Sequence, residues 1–427
     1  MLDVPEIALM NDEGNGSENC LFTNDFAYSK NCYLCFVTWY NEDCYYSTGI
    51  HYSKNTIDSL DTMKSELCYE CIDSNNCYHC IFLKYCENCT DCFFGYDLRN
   101  CTNCFKCAGL RNKQYCIENK QYSKEDYEKI VTKEIFSSFT EFSKHKESFF
   151  KFLKKVPQKS VMNTNSEESI GNKLQNCKNV IGFENYDCRD SKYIYHCNSV
   201  KDSFDLTNTG RAELCYETLV SNDGYMSLFT NECWNSKDAI YSNHCFNCEH
   251  IFGCSGLKKK KYCILNKQYS KEEYEILVPK IIEYMIQTKE WGEFFPMEIS
   301  PFKYEETVAN EYFPQSPNKE RIHQPIKNDI PDNINEITDE ITKQKLLCED
   351  CGKSFKIISS ELNTYKKLKL PIPRQCPNCR HLARMELRNP RSLWKRECNK
   401  CKQKTLSTYP NSETIVYCEK CYLEEVY

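Results

Sequence analysis

Two kinds of segment are missing from the chain. It contains no run of eighteen apolar residues, which is about the length that an α-helix needs to cross a bilayer. Its first residues, MLDVPEIALMNDEG, are acidic and lack the basic and apolar regions of an export signal. We therefore expect a cytoplasmic protein that does not contact membranes.

The chain also lacks an excess of positive charge and any familiar catalytic motif. Its net charge of −6 indicates no general affinity for nucleic acid or for anionic membranes. It has no nucleophile elbow, no phosphate-binding loop and no paired catalytic carboxylates, so we expect no enzymatic activity. A chain of 427 residues, 27% of them charged and 41% hydrophobic, is typical of a soluble protein with two or three domains.

Cysteine, by contrast, is abundant. The 32 cysteines would suggest a disulfide framework in a secreted chain. In a chain that we expect to stay in the cytoplasm, they are better interpreted as thiols and metal ligands.

The cysteines of the first part of the chain follow a period of three. Every cysteine from Cys20 to Cys116, fifteen in all, has a number that leaves remainder two when divided by three. A helix repeats at 3.6 residues and a flat strand at 2, so neither keeps every third side chain on one side. The pattern predicts a chain that bends every few residues around a narrow interior of Cys, Ser and Thr.

The size of one coil is predicted from columns of cysteines. Written in rows of fifteen, the stretch from Cys71 to Cys116 aligns its cysteines, which predicts a β-solenoid with about 15 residues per coil. Successive coils would stack at ~4.8 Å, the spacing between strands, so that each column forms a ladder. A bundle of polyproline-like segments, also with three residues per turn, is the alternative geometry.

A second copy of the arrangement follows 147 residues later. Leu214–Glu217 matches Leu67–Glu70, and Asn266–Tyr274 matches Asn119–Tyr127. The second copy has fewer cysteines, and only Cys177 departs from the period. In each copy, the Asn-Lys-Gln-Tyr-Ser-Lys-Glu segment predicts a helix cap and a helix that covers the open end of the solenoid.

The first capping helix is expected to run to about Lys155, and the second to be broken or started by Pro279. We predict a mainly β fold with some α: two Cys/Ser/Thr-cored β-solenoids, each capped by a helix, and two C-terminal treble-clef or zinc-ribbon fingers. The predicted bounds are 1–122 for the first solenoid, 123–170 for its capping helix with linker, 171–269 for the second solenoid and 270–295 for its capping helix. A Pro-rich extended linker follows at 296–345, and the two zinc fingers at 346–390 and 391–427.

The last fifth of the chain contains four C-x2-C pairs. Two pairs separated by 24 residues are followed by two pairs separated by 16. Paired knuckles supply the four thiolates of a closed tetrahedral Zn²⁺ site, so we predict two structural, non-catalytic zinc ions. The predicted ligands are Cys348, Cys351, Cys376 and Cys379 for one ion, and Cys398, Cys401, Cys418 and Cys421 for the other.

Several segments carry a resemblance to a known family, namely Leu370–Pro373, Cys376–His381, Leu387–Arg391, Ile415–Tyr422 and Trp291–Pro296. The chain resembles, over nearly its whole length, an uncharacterised family of cysteine-rich repeat proteins with C-terminal tandem zinc ribbons, abundant in uncultivated small-genome bacteria. The resemblance implies a zinc-binding tail and no established activity. A coenzyme A transferase label that such sequences sometimes carry has no support in these residues.

The solenoid cysteines allow three interpretations. Cysteine is a small, well-buried residue that suits a narrow interior, which is the favoured explanation. Laddered thiols would otherwise hold zinc or an iron–sulfur cluster, with His79, His196 and His244 as additional ligands, or form disulfides between coils. The candidate thiol or metal residues are Cys71, Cys86, Cys89, Cys92, Cys101, Cys104, Cys107 and Cys116.

The charge of the tail differs from that of the whole chain. Between Lys366 and Lys404 there are thirteen Lys or Arg and two Glu, a net charge of +11. Such a patch beside a zinc finger is typical of RNA or DNA binding, although the basic residues would also balance the thiolates or dock on the acidic solenoid. The candidate nucleic-acid contacts are Arg374, Arg380, His381, Arg384, Arg388, Arg391, Trp394, Lys395 and Arg396.

These observations favour a zinc-binding scaffold or adaptor that contacts nucleic acid, or a nucleic-acid-associated machine, through its tail. Two alternatives remain: a redox or metal-storage protein that uses the solenoid cysteines, and a purely structural module for protein–protein interaction. The sequence leaves the oligomeric state open.

Overall fold

The structure is a computed structural model that describes residues 16–132, 134–210, 216–219, 227–300, 302–315, 329–410 and 412–427, without the side chains of 217–219 and 299. Two β-solenoids and a C-terminal tail with two four-cysteine clusters make up the described chain, as predicted. Residue Cys215, part of the repeat match, lies outside the described residues.

One coil contains twelve residues. Parallel bridges join residues twelve apart, such as Glu18 to Lys30 and Lys30 to Glu42. The predicted length of about 15 residues per coil is therefore wrong. The bridges between coils also exclude the alternative of polyproline-like segments in this region, because such segments lack a β-bridge pattern. The error arose because 12 and 15 are both multiples of three. The ladder that fixes the coil runs from Cys20 to Cys116 in steps of twelve and contains cysteine at every position except Thr56.

Each coil consists of four triplets of residues. In the triplet Lys30–Cys32, the first residue bridges to neighbouring coils, Asn31 turns the chain with φ 54°, and the Cys32 side chain points inward, 1% exposed. Asn and Asp hold many of the turning positions because their short polar side chains tolerate positive φ. The triplet explains why the interior period is three rather than the two of a flat strand.

The inward side chains form hydrogen bonds as well as filling space. Ser53 Oγ donates to the carbonyl of His51 (3.1 Å) and accepts the N–H of Ser65 in the next coil (3.3 Å). Cys86 Sγ likewise donates to the carbonyl of Lys84 (3.4 Å) and accepts the N–H of Leu98 (3.5 Å). Ser and Cys can therefore exchange, because each satisfies a backbone N–H that would otherwise be buried without a partner.

The described part of the first solenoid contains two groups of strands. In the first group, β1 (Asn24–Ala27) pairs in parallel with β2 (Phe36–Trp39). The second group consists of the parallel strands β3 (Ile81–Lys84), β4 (Phe93–Tyr96), β5 (Thr102–Ala108) and β6 (Gln114–Ile117), followed by β7 (Lys120–Gln121), which is antiparallel to β6. Short β8 (Gln158–Lys159) follows its capping helices. The second solenoid forms a ten-stranded sheet of β9 (Ile170–Gln175), β10 (Lys178–Tyr186), β11 (Arg189–Tyr195), β12 (Phe204–Thr207), β13 (Tyr216–Leu219), β14 (Leu228–Asn231), β15 (Lys237–Ile240), β16 (Glu249–Phe252), β17 (Lys261–Ile264) and β18 (Lys267–Gln268).

Cys177 does not break the pattern of the second solenoid. The first coils of this solenoid are one residue shorter, with Thr164 bridged to Gln175 and Glu167 to Lys178. The pairing of β10 with β11 shifts by one residue between Ile181 and Gly182, and each later coil contains twelve residues. Cys177 lies in the stretch of eleven-residue coils and is buried with the other inward side chains. Its residue number departs from the period of three, but its side chain occupies an ordinary inward position.

Both copies end in a hairpin and a capped helix. β6 with β7, and β17 with β18, are the antiparallel pairs that end each stack of parallel strands. Ser123 Oγ accepts the N–H of Asp126 (3.1 Å), and Ser270 Oγ accepts that of Glu273 (3.2 Å), which confirms the predicted capping signatures.

The capping helices differ from the prediction in two ways. The first copy has two helices, α1 (Lys124–Ile130) and α2 (Phe139–Leu153), where one was expected. In the second copy, α3 (Lys271–Thr288) continues through Pro279 rather than breaking there. Pro279 is exposed, so the carbonyl that loses its N–H partner in the helix can be hydrated.

The segment 296–345 is not simply an extended linker. It contains α4 (Val308–Tyr312) and 3₁₀ turns at Met297–Ile299, Tyr304–Glu306, Ile334–Glu336 and Asp339–Lys343, while 316–328 lie outside the described residues. Ile334, Ile337 and Ile341 are buried in the same apolar core as α2 and the tail. Buried isoleucines explain why this part packs against the molecule.

The described part of the tail contains five short strands and three helices. In chain order these are β19 (Leu346–Leu347), β20 (Ser354–Phe355), α5 (Ser359–Leu368), α6 (Pro377–Leu387), β21 (Trp394–Glu397), β22 (Lys404–Ser407), β23 (Val416–Tyr417) and α7 (Glu419–Val426). β19 pairs with β20 and β21 with β22, both antiparallel.

Candidate metal centres and the docked tail

The first four-cysteine cluster joins a knuckle to the start of a helix. Cys348 and Cys351 lie in the turn between β19 and β20, where Gly352 (φ 71°) donates its N–H to the carbonyl of Cys348 at 2.9 Å. Cys376 caps α6, and Cys379 lies in the first turn of that helix. All four Sγ atoms lie within 4.8 Å of one another, and those of Cys351 and Cys376 are 3.8 Å apart.

The second cluster repeats this design. Cys398 and Cys401 occupy the turn between β21 and β22, and Cys418 caps α7, which contains Cys421. Their Sγ atoms also lie within 4.8 Å of one another, with 3.7 Å between Cys401 and Cys418. Burial opposes ionisation of Cys398, but backbone hydrogen bonds from Cys401 and Cys418 lower its pKa to about 6, which favours a thiolate ligand.

The spacing of the sulfur atoms fits a metal ion. A tetrahedral ion with metal–sulfur distances of about 2.3 Å separates its sulfur ligands by about 3.8 Å. The two measured separations, 3.8 and 3.7 Å, agree with this geometry. All eight predicted ligands are thus brought together as two four-cysteine sites that could each hold an ion.

Helix α6, which starts at the first cluster, carries a stripe of arginines. Arg380, Arg384 and Arg388 are spaced four residues apart and therefore lie on one face of the helix and its C-terminal extension. All three are at most 9% exposed. Such burial is unusual for charged side chains and requires partners.

Asp58 of the first solenoid binds two of these arginines. Its carboxylate lies 3.0 Å from Arg380 Nη1 and 2.7 Å from Arg384 Nη1. The guanidinium of Arg380 also stands over the ring of Tyr46 at 4.5 Å. Glu361 of α5 completes the group, accepting the Tyr46 hydroxyl at 2.9 Å and pairing with Arg380 at 3.3 Å.

Arg388 connects both solenoids. It binds Asp61 of the first solenoid (2.8 Å) and Glu184 of the second. Lys173 of the second solenoid reaches Asp73 of the first and Glu184 of its own. Burial opposes ionisation of Glu184, but the charges of Arg388 and Lys173 hold its pKa well below the usual range. The centre of the molecule is therefore an ion-pair network to which two solenoids and the tail contribute.

The second cluster is attached to the connection between the solenoids. β23 pairs in parallel with β8, and Ser160 donates its N–H to the carbonyl of Tyr417 at 2.9 Å. Tyr422 of α7 donates its hydroxyl to Asp97 of the first solenoid at 2.6 Å. Each cluster thus anchors one part of the tail to a different region of the solenoids.

The candidate nucleic-acid residues are mostly engaged within the chain. Arg380, Arg384 and Arg388 face the acids described above, and Arg391 pairs with Glu184. Docking on the acidic solenoid, the alternative considered from the sequence, accounts for these four side chains. The remaining candidates have the following positions: Arg374 binds the carbonyl of Pro331, His381 binds Glu311, Arg396 binds the carbonyls of Tyr409 and Thr414, Trp394 is half-buried and Lys395 is exposed.

The solenoid cysteines are packed as a ladder. All eight candidates are at most 2% exposed, and their thiols donate to backbone carbonyls, as Cys92 does to Thr90 (3.4 Å). Burial holds the pKa of Cys86 well above its usual value. Among the described residues of the solenoids, no three metal-ligating side chains lie close enough to share an ion, and none of the described cysteines forms a disulfide. Burial and hydrogen bonding to carbonyls are the features that the packing interpretation predicts.

The three histidines considered as additional ligands occupy turning positions, where the side chain points outward. His79, His196 and His244 have φ between 49° and 56°. His79 Nδ1 lies 2.5 Å from Asp91, in the next coil of the same solenoid. They are therefore directed away from the interior thiols.

The acids that pair with the arginine stripe were not predicted from the sequence. Asp58 and Asp61 occupy turning positions, where Asp is common for conformational reasons alone. The available signal was the spacing of Arg380, Arg384 and Arg388, which predicts a one-sided basic stripe on a helix.

No protein-family model matches the chain, and no curated protein matches it. The resemblance to a cysteine-rich family therefore stays a prediction. None of the helices in the described part of the chain has the length and apolar character that a bilayer crossing requires.

Proposed function

We propose that the protein is a non-catalytic scaffold whose two solenoids are fixed together by a zinc-stabilised tail. The observation that carries the proposal is the position of α6: its first turn belongs to a four-cysteine cluster, and its arginines bind acids of both solenoids. Metal binding would order the start of this helix and so present the arginines as one face.

Zinc is the metal that these donors favour. Four thiolates in a tetrahedron are typical of structural zinc in treble-clef and ribbon fingers. Four protein ligands fill the coordination of such an ion, which leaves no position for substrate and supports a structural role. Short metal-binding segments of this kind commonly fold only when the ion is bound.

The outer surface supports a binding role. Tyr28, Tyr40 and Tyr52 stack across three coils, with ring centroids 4.9 and 4.8 Å apart, and all three are about half exposed. Rigid, regular rows of side chains are the means by which repeat proteins commonly hold partners.

Metal removal tests the proposal. Treatment with a strong chelator, or the Cys376→Ser/Cys379→Ser variant, should release α6 and expose Arg384 and Asp58 to solvent. Hydrogen exchange should then rise in residues 376–391 and in the coils around Asp58, while the far-ultraviolet circular dichroism of the solenoids is kept. Elemental analysis should give two zinc ions per chain. Unchanged exchange in metal-free protein would contradict the proposal.

Contact with nucleic acid is a second candidate, now limited to the second finger. Lys395, Lys402 and Lys404 lie on or between β21 and β22, are exposed, and form no ion pair among the residues that the structure describes. Exposed lysines can bind phosphates. Single-stranded RNA should bind in a salt-dependent manner and weaken when all three are changed to Ala. The Lys366→Ala variant, in an exposed residue that pairs with Asp339, is the control. Equal binding by all variants would exclude this site.

A further inference from the structure

From Gly182 onward, the second solenoid corresponds to the first residue by residue at an offset of 147. β6 and β7 correspond to β17 and β18 with the same bounds after this shift. Asn119 accepts the N–H of Ala108 at 2.9 Å and donates to its carbonyl at 2.8 Å. Asn266 makes the same two bonds to Ser255 at the same two distances. Equivalent residues of the two copies therefore occupy equivalent backbone positions.

In the first solenoid, three of these positions form the face that receives the tail. Tyr46 is 5% exposed, Ile57 and Asp58 are fully buried, and α5 and α6 cover them. Asp58 supplies the carboxylate for two arginines, and Tyr46 supplies the ring over which one of them lies. We call this set of residues the first docking face.

The second solenoid carries the same chemistry at the same positions. Tyr193, Phe204 and Asp205 are the equivalents of Tyr46, Ile57 and Asp58. Tyrosine and aspartate are identical in the two copies, and an aromatic residue replaces the aliphatic one. Tyr193 and Asp205 share the positive φ of their counterparts, 59° and 51°. We call these three residues the second docking face.

The second docking face is open. Tyr193 is 52% and Phe204 41% exposed, their ring centroids are 6.4 Å apart, and Asp205 is exposed. No cation in the described chain pairs with Asp205, whereas Asp58 has two arginines. Lys192 already stands over the Phe204 ring at 6.0 Å, which shows that a cation fits against this aromatic surface.

We propose that the second docking face binds an arginine-bearing α-helix of a partner protein. One arginine of the helix would pair with Asp205, and another, four residues away, would lie over Tyr193, as α6 does on the first docking face. The inference rests on the proposed scaffold function, because it assumes that this surface exists to hold another molecule.

The negative charge of the second docking face, and the fact that the chain's own arginine stripe is already bound elsewhere, indicate which molecule binds there. The Asp205 carboxylate, which no cation of the described residues pairs with, attracts a guanidinium and repels the phosphates of a nucleic acid. The chain's own arginine stripe cannot serve, because Asp58, Asp61 and Glu184 already hold it. A folded second copy has its stripe engaged in the same way. A different protein with a free arginine helix is therefore the fitting occupant.

A synthetic peptide with the sequence of residues 377–391, with Cys379→Ser and a fluorophore, is a suitable probe for the full-length zinc-loaded protein. Fluorescence anisotropy should show saturable binding. Asp205→Asn should weaken it roughly tenfold, as expected for the loss of one charge-assisted hydrogen bond, and Tyr193→Ala should weaken it severalfold. Asp238→Asn, in a turning position farther along the same solenoid, should have no effect. Circular dichroism confirms that each variant is folded.

Four results would overturn the inference. The first is the absence of peptide binding, and the second is equal binding to the Asp205→Asn and Asp238→Asn variants. The third is binding that depends on Asp58 and not on Asp205, which would mean that the peptide exchanges with the chain's own tail. The fourth is a dimer of the unbound protein that Asp205→Asn dissociates, which would assign the face to a second copy. None of these readouts involves metal removal, so failure here is distinguishable from failure of the proposed zinc-stabilised scaffold.

Discussion

The two solenoids share a backbone but differ in what fills them and in what covers them. The first has a nearly continuous cysteine ladder and a face covered by the tail, whereas the second has fewer cysteines and an open equivalent face. In both, inward side chains such as Cys86 and Ser236 accept the N–H of the next coil and donate to a carbonyl, while aliphatic side chains such as Leu206 fill other inward positions. The comparison teaches that the interior accepts both hydrogen-bonding and aliphatic side chains, and that the outward positions are free to diverge.

The largest difference between the two solenoids should be in the loss of stability when the equivalent acids Asp58 and Asp205 are substituted. Asp58→Asn leaves Arg380 and Arg384 without their shared buried negative charge, and such a loss typically costs about 3–5 kcal/mol. The equivalent Asp205→Asn, at an exposed position where asparagine also tolerates positive φ, should change the free energy of unfolding by less than about 0.5 kcal/mol. Chemical denaturation of both variants measures the difference. Equal losses would mean that the two faces are not distinguished by the docked tail.

A smaller effect, dependent on pH, should arise where the solenoids face each other. Burial, followed by the negative charge of Glu232 in the second solenoid, raises the pKa of Asp25 in the first to about 6. An acid with a raised folded pKa stabilises the fold while protonated, so its contribution is lost as pH rises from about 4, the unfolded value, through 6.

The Asp25→Asn variant should therefore gain melting temperature relative to wild type as the pH is raised from 5 to 8. Comparing the two proteins at each pH cancels effects on the metal sites. A constant difference across this range would show that Asp25 does not titrate between the solenoids. Glu18→Gln, at an exposed position in the same coil, is the matched control.

The smallest effect on stability should come from exchanging Cys and Ser at one inward position of each copy. Cys92→Ser and Ser236→Cys keep the hydrogen bond to a carbonyl, made at 3.4 Å by Cys92 and at 3.0 Å by Ser236. Each should cost at most about 1 kcal/mol, whereas Cys92→Leu would overpack the interior and cost about 1–3 kcal/mol. Thermal unfolding under reducing conditions checks the order of these stability losses. A Cys92→Ser loss as large as that of Cys92→Leu would indicate that the thiol has a role beyond packing.

Local patterns were readable in the sequence, and contacts between distant segments were not. The period of three and the C-x2-C pairs are set by neighbouring residues, so the solenoid and both four-cysteine clusters could be predicted. The coil of twelve was available in the ladder from Cys20 to Cys116, but the shorter columns spaced by fifteen obscured it.

The docking of the tail could not be predicted in the same way. A turning position accepts Asp for backbone reasons whether or not an arginine faces it, so Asp58 looked like many other residues. The same arginines fit an exposed nucleic-acid surface and a buried internal contact equally well by charge alone. Only the packing of α6 against both solenoids distinguishes the two.

The central ion-pair network also has a consequence for synthesis on the ribosome. Arg388 follows its partner Asp61 by 327 residues. At 5–20 residues per second, the first solenoid would wait roughly a quarter of a minute to a minute before its partner is made. During that interval Tyr46, Ile57 and Asp58 lie open on the nascent chain, so the acidic face is available to chaperones until the metal-binding tail emerges and closes it.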